Sequence, residues 1–242
     1  MVNFIEIFSS IQGEGKFVGC RQIFIRMADC NLNCAYCDTN FKRAEFCNVE
    51  TSAGSMIFKR IENPLDAAQV AKIIHYFNDE VPTHSVSFTG GEPLLNWQFI
   101  QEVAELIKNS GLKIFLETNG TLPNELKKII DYVDIVSADI KLPSVAGNYF
   151  DKHRKFLEIA AQKDLYVKIV ISDETTPKEF NAAINLIAEV SPEILLILQP
   201  VTPIKNVKAI SSPKILELQS VALKKLKNVR VIPQTHRLMN IF

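Results

Sequence analysis

Short runs of β-branched and aromatic residues alternate along this chain with longer stretches whose apolar residues recur every three or four positions. The first pattern reads as strands and the second as amphipathic helices. Strands are expected at 22–27, 85–89, 113–117, 134–139, 165–171, 194–199 and 229–232, and helices at 65–77, 97–109, 124–132, 150–162, 177–188 and 213–225. Boundary residues agree: Pro123 suits a first helical turn, and Gly111, behind Asn109-Ser110, suits a helix stop. Repeated βα units predict a parallel sheet with right-handed crossovers and the helices outside. Six or seven such units can curl partly closed, so the expected class is α/β, a partial (incomplete) TIM-like βα barrel. With no linker, repeat or low-complexity tract, residues 1–242 are expected to form a single domain.

Barrel enzymes build their sites at the C-terminal ends of strands. Here those ends read Thr89-Gly90-Gly91-Glu92, Glu117-Thr118-Asn119-Gly120, Ser137-Ala138-Asp139-Ile140-Lys141, Gln199-Pro200-Val201-Thr202 and Pro233-Gln234-Thr235-His236, and a cysteine-rich loop follows the first strand. Loops are polar anyway, so one polar end means little; six that agree predict a common rim.

Charge narrows the picture. The 27 basic and 27 acidic residues cancel, which leaves no electrostatic footprint for direct nucleic-acid binding. The lysines of Lys224-Lys225-Leu226-Lys227 read as a solvated helix face. No apolar run approaches the roughly 20 residues that span a bilayer, so no membrane partner is expected. The start, Met1-Val2-Asn3-Phe4-Ile5-Glu6, lacks the pattern of an export leader. Together with an odd count of five cysteines, this places the chain in the cytoplasm.

The candidate chemistry begins at Cys30-Asn31-Leu32-Asn33-Cys34-Ala35-Tyr36-Cys37. A cubane iron–sulfur cluster has four irons to cap, usually with thiolates. Three closely spaced cysteines leave one iron open, as a reactive metal centre requires. A closed zinc site needs a fourth ligand, commonly in a second pair. Cys20 and Cys47 form no such pair, and His75, His84, His153 and His236 are scattered. A non-enzymatic zinc or redox-sensing module stands as the alternative from a different class.

The CxxxCxxC spacing, with an aromatic before the last cysteine, resembles the radical S-adenosylmethionine (SAM) superfamily, and it implies a partial barrel of the radical SAM type. It also implies a [4Fe–4S] cluster on Cys30, Cys34 and Cys37 whose open iron is chelated by SAM. One electron then cleaves the sulfonium to a 5′-deoxyadenosyl radical. Gly90-Gly91-Glu92-Pro93 is similar to the family's contact with the SAM amino group, through Gly91 and Glu92; a glutamate is a charge-assisted acceptor for an ammonium. Ser137, Asp139 and Lys141 alternate along one strand end and so share a face. The resemblance places them, with Ala138, around the ribose and carboxylate. It places Gln199, Pro200 and Thr202 on another side of SAM and Tyr36 beside the adenine. The plain alternatives are a tight βα turn, a polar strand end and ordinary packing.

Phe8-Ser9-Ser10-Ile11-Gln12-Gly13-Glu14-Gly15, Arg26 four residues before the first cluster cysteine, and Cys37-Asp38-Thr39 are together similar to the 7-carboxy-7-deazaguanine synthase family. Read as chemistry, Gln12 and Glu14 offer donors and acceptors to a guanine-like edge, and Arg26 offers a planar fork to a carboxylate. The resemblance implies substrate binding by Ile11, Gln12, Gly13, Glu14, Arg26, Thr89, His236 and the terminal carboxylate of Phe242. It implies Mg²⁺ on Thr39, since Mg²⁺ commonly takes few protein ligands. The implied reaction converts 6-carboxy-5,6,7,8-tetrahydropterin to 7-carboxy-7-deazaguanine with loss of ammonia. The resemblance further implies a reduced flavodoxin or ferredoxin as the electron donor and a homodimer. Residues 1–28 would form a substrate-binding segment, while 40–63 match the family pattern least. Cys47 there reads as a packed thiol; a ligand role for it would close the open iron. Against these stand a glycine turn at 12–15, a capping role for Thr39, and a partly exposed His236. Another small radical SAM enzyme, such as a glycyl-radical activase, would have no use for Gln12, Glu14, Arg26 and Thr39.

Overall fold

The computed structural model describes residues 1–35, 37, 41–203 and 208–241. The expectations for Tyr36, Thr39 and Phe242 lie outside the described residues. One ten-stranded sheet runs through the molecule in the order β10-β9-β8-β7-β6-β5-β2-β1-β3-β4. Its parallel part comprises β2 (Arg21–Met27), β5 (Ser85–Gly90), β6 (Lys113–Thr118), β7 (Ile135–Asp139), β8 (Asp164–Ile171), β9 (Leu195–Pro200) and β10 (Val229–Val231). These are the seven expected strands, with no end shifted by more than one residue. Among the described residues β10 and β4 do not pair, so the barrel stays open.

The helices lie where the apolar period placed them: α1 (Ala67–Glu80), α2 (Trp97–Ile107), α3 (Pro123–Ile129), α5 (Phe150–Ala160), α6 (Pro177–Val190) and α7 (Ser212–Leu223). Short α4 (Pro143–Ala146) and α8 (Thr235–Met239) follow strand ends and have too few residues to show a period. Local chemistry sets the starts. Asp66 with Gln69 and Thr176 with Glu179 each form a reciprocal capping box, satisfying donors that the first turn leaves unpaired.

Alternation along the parallel strands sorts side chains into two layers. Val86, Phe88, Leu116, Val136, Val167, Ile169, Leu196 and Leu198 face outward and pack on helix residues such as Ile74, Val103, Leu126, Phe156, Phe180 and Leu218. Facing inward, Phe115, Ile135, Tyr166 and Ile197 form a second, smaller cluster with Phe17 against it. That aromatic plug floors the barrel, and polar inner-face residues sit above it.

Three strands were not expected from the pattern. β1 (Phe4–Ile11) pairs antiparallel with β2, and β3 (Phe46–Glu50) and β4 (Phe58–Glu62) extend the sheet as an antiparallel pair beyond it. In β1 the register slips between Phe4 and Glu6, so Phe4 and Ile7, three apart, both enter the outer core. The bulge destroys the period of two by which a strand is recognised. β4 is an edge strand carrying Lys59 and Arg60, charge that discourages edge pairing and erases apolar contrast. Among the described residues no helix is long and apolar enough to cross a membrane.

Candidate active site

At the C-terminal ends of the strands lies a cavity of about 600 Å³. Its cluster wall is built by two turns pressed together. After β2 the chain turns at Asp29, whose φ of +66° is unusual for a non-glycine residue. The Asp29 N–H donates to the Phe41 carbonyl (2.7 Å), and the Asp29 carbonyl accepts from the Glu92 N–H (2.8 Å). A Cβ on Gly91 would lie 1.7 Å from the Asp29 carbonyl oxygen, so only glycine permits this approach. The Cys30 Sγ then accepts from the Leu32 N–H (3.4 Å) and the Asn119 amide (4.0 Å). Asn119 also donates to Asn31 Oδ1 (2.8 Å), whose own amide donates to Thr121 (2.8 Å). The turn after β6 thus props the cysteine loop.

Cys30, Cys34 and Cys37 line the cavity as thiols, none of them in a disulfide. Burial pushes the Cys34 thiol up to about 11 and raises Cys30 as well, a cost that metal ligation relieves by deprotonating the sulfur. Among the described residues no three His, Cys, Asp or Glu are gathered to hold a single metal ion. Three thiols outside any disulfide sharing one cavity wall, one already accepting hydrogen bonds, fit a polynuclear cluster.

A second wall comes from the N-terminal strand, the loop behind it and the C-terminal segment. Gln12 donates to Glu117 Oε1 (2.7 Å) and Gln22 (3.0 Å), while Thr89 donates to Glu117 Oε2 (2.7 Å). Glu14 accepts from the Lys168 ammonium and from the Gln234 amide (2.7 Å). Burial alone would raise the Glu14 pKa; the Lys168 charge, helped by both hydrogen bonds, outweighs it and holds the carboxyl down to about 2. The Gly13 carbonyl accepts from Thr235, and a Cβ on Gly13 would lie 2.3 Å from His236 Nδ1, so the His236 ring lies directly against the loop. Arg26 and Glu6 stand opposite each other on β2 and β1 and pair at 2.7 Å.

A third wall carries Ser137, Asp139, Lys141, Gln199 and Thr202. Lys141 pairs with Asp139 Oδ2 (2.8 Å), and the Thr202 hydroxyl donates to Gln234 Oε1. Asp139 Oδ1 and Gln199 Oε1 are buried with no hydrogen-bond partner among the described residues. Such acceptors call for donors from a ligand, and the hydroxyls of a ribose suit them.

The structure therefore brings Ile11, Gln12, Gly13, Glu14, Arg26, Thr89, Gly91, His236 and the three cysteines to one cavity with the third wall. Other expected residues sit elsewhere. Ala138 belongs to the outer core, and alternation turns Pro200 away from Gln199. Glu92 is fully buried, its carboxylate accepting from the Leu94 N–H (3.1 Å), the Thr118 hydroxyl (2.8 Å) and the Asn119 N–H (2.8 Å). Burial raises its pKa to about 7 despite these donors. It clamps the Gly90-Gly91 turn to the Asn119 turn, and the glycines face the cavity.

Glu6, Glu117 and Lys168 also line the cavity and were not singled out as site residues. Lys168 had a readable signal, a lone charge in the apolar run of β8; Glu6 had none, because its strand is bulged. Cys47 lies in the outer core, its thiol pushed up to about 12 by burial. Cys47→Ala should therefore retain a full complement of iron and sulfide while losing about 1 kcal/mol of stability to the small void. Iron analysis and denaturant titration check both.

His153 shores up the same turn from behind. It is 1% exposed and its Nε2 lies 3.1 Å from the Asn119 carbonyl, so that nitrogen carries the proton. Burial depresses its pKa to about 4, although the Asn119 bond and the Asp139 charge pull upward. A depressed folded pKa means stability that is complete above the unfolded value of 6.5 and is lost as pH falls toward about 4. The loss amounts to about 3 kcal/mol. His153→Gln keeps a donor for Asn119 and should remove that part of the slope in urea titrations across this range.

Residues 24–187 match the family described as the Radical SAM superfamily. Over 97% of its length the chain is 43% identical to the 7-carboxy-7-deazaguanine synthase of Geobacter sulfurreducens, covering 95% of that protein. It is 37% identical to the enzyme of the same name from Methanocaldococcus jannaschii, covering 98% of each. Among solved structures, QueE from Escherichia coli superposes with a TM-score of 0.62 at 22% identity, covering 97% of this chain and 94% of that one. TYW1 with a lysine-pyruvate adduct superposes with a TM-score of 0.58 at 14% identity, covering 85% and 74%. At these identities the superpositions speak to fold, the open radical SAM barrel.

Proposed function

We propose, from the premise that this chain belongs to the radical SAM superfamily and within it to the 7-carboxy-7-deazaguanine synthase family, that its cavity holds SAM against the cysteine wall and a carboxylated tetrahydropterin against the N-terminal wall. The chain is a radical SAM enzyme of 7-deazapurine biosynthesis, with a [4Fe–4S] cluster and SAM. The observation that carries the finer reading is the convergence of Cys30, Cys34 and Cys37 with Gln12, Glu14 and Arg26 on one cavity.

Held by Cys30, Cys34 and Cys37, the cluster with SAM would supply a 5′-deoxyadenosyl radical able to take a hydrogen atom from C6 of 6-carboxy-5,6,7,8-tetrahydropterin, for an overall conversion to 7-carboxy-7-deazaguanine with loss of ammonia. The protein's share is orientation and exclusion of water. Asp139 and Gln199 offer acceptors to the ribose, Lys141 a cation to the SAM carboxylate, and the Gly90-Gly91 backbone a close surface to its amino end. Glu92 acts here as the clamp that shapes that backbone. Gln12 and Glu14 read the donor edge of the pterin. Arg26, its Nε engaged by Glu6, presents the other edge of its fork to the substrate carboxylate. Mg²⁺ on Thr39, the Tyr36 contact with adenine and the Phe242 carboxylate complete the reading. So do a flavodoxin or ferredoxin donor, a homodimer and a cytoplasmic setting.

The activase alternative is not favoured: relatives matched over nearly the whole chain are 7-carboxy-7-deazaguanine synthases. Reconstituted protein given SAM, a one-electron reductant, Mg²⁺ and the pterin under anaerobic conditions should release 7-carboxy-7-deazaguanine. An intact cluster that cleaves SAM yet forms no deazaguanine would sink the substrate assignment. Omission of Mg²⁺ tests the metal.

A further inference from the structure

Lys168 is the charged residue of β8, a strand otherwise built of apolar residues after its first position. Parallel pairing sets it beside Asp139 of β7. Alternation points it into the cavity above Tyr166, and its side chain is only 15% exposed. There its ammonium pairs with Glu14 and lies 3.5 Å from Asp139 Oδ2. Glu14 stands on the N-terminal wall and Asp139 on the SAM wall. Asp139 has a second cation in Lys141; Glu14 otherwise has the Gln234 amide. One buried cation therefore stands between two carboxylates that face different ligands. Burial opposes its charge, yet Glu14, Asp139 and Glu117 together raise its pKa well above the ordinary value, so it stays ionised. A buried cation with two anionic partners is a rigid strut: moving Glu14 away strips it of its cation, and moving Asp139 away gives up one of its two.

We propose that Lys168 is a positioning residue shared by both ligand sites: its ammonium aims the Glu14 carboxylate at the pterin and the Asp139 carboxylate at SAM. The inference rests on the ligand placement given under Proposed function. It makes the two sites mechanically one, so that a lesson read at the substrate should also be read at SAM.

The test uses reconstituted wild type, Lys168→Met, Glu14→Gln and the double variant, with SAM and pterin dissociation constants measured by anaerobic calorimetry alongside iron content. Lys168→Met should weaken both ligands by about tenfold or more, the scale of one lost charge-assisted hydrogen bond. Glu14→Gln should weaken the pterin alone. The double variant should bind pterin no worse than Glu14→Gln, because Lys168 acts on that ligand through Glu14, and should keep the weakened SAM site. It also removes opposite charges together, so it carries the reading if Lys168→Met fails to hold iron. Lys168→Met that shifts one constant only, or pterin losses that multiply in the double variant, would overturn the proposal. Wild type that binds both ligands but makes no deazaguanine would instead fell the functional reading, since the binding constants are read without turnover.

Discussion

Gly91→Ala should yield a folded protein that holds almost no iron. The added Cβ would sit 1.7 Å from the Asp29 carbonyl oxygen, 2.5 Å from its carbon and 3.2 Å from the Cys30 nitrogen. All three are backbone atoms, and none can swing aside as a side-chain tip does. Asp29 is already held at positive φ between its bonds to Phe41 and Glu92, so it has little freedom to retreat. The two turns must separate by an ångström or more, carrying Cys30 away from Cys34 and Cys37. A misplacement of that size costs about a hundredfold or more in activity even where binding survives; for a cluster gripped by three thiolates, loading itself should fail. The outer core does not involve this turn, so far-ultraviolet circular dichroism should be unchanged while iron, sulfide and visible absorption vanish. Normal iron content in Gly91→Ala would show that the two turns can part without moving the cysteine.

Arg26→Ala should lower kcat/KM for the carboxylated pterin about a thousandfold, on the scale of truncating one partner of a buried charge pair. Arg26 is 24% and Glu6 18% exposed, and the guanidinium lies over the Phe8 ring, itself stacked on Phe24. Removing the fork subtracts the proposed ligand of the substrate carboxylate and also leaves Glu6 as an uncompensated anion near that carboxylate. The second effect is separable. Arg26→Ala with Glu6→Gln should recover about tenfold relative to Arg26→Ala alone. A double variant as poor as the single one would mean that Glu6 serves only to hold the arginine. Arg26→Lys, which keeps the charge and loses the fork, should fall between wild type and Arg26→Ala. SAM cleavage without pterin should be unaffected in all three.

The seven parallel strands and six longer helices were legible because each is periodic over a short window and its partners are its chain neighbours. The cysteine triad, the Gly90-Gly91 turn and the Gln12–Glu14 segment were legible because their chemistry is local to a few residues. Roles that depend on distant partners were not. Glu92 reads as a ligand carboxylate until Thr118 and Asn119, more than 25 residues away, are seen to occupy it. Lys168 reads as a stray charge until Glu14, 154 residues distant, is found beside it. β1 escaped because one bulged residue reverses the face of everything after it.

Local spacing in the chain thus specified the βα succession, the three-thiol donor set and the glycine-rich turns, since period and motif need no knowledge of what lies across the barrel. Which carboxylates line the cavity and which brace the scaffold was decided only when the sheet curled. That choice depends on which buried charges and hydrogen-bond donors become neighbours, and burial makes an unmatched pairing too costly to keep.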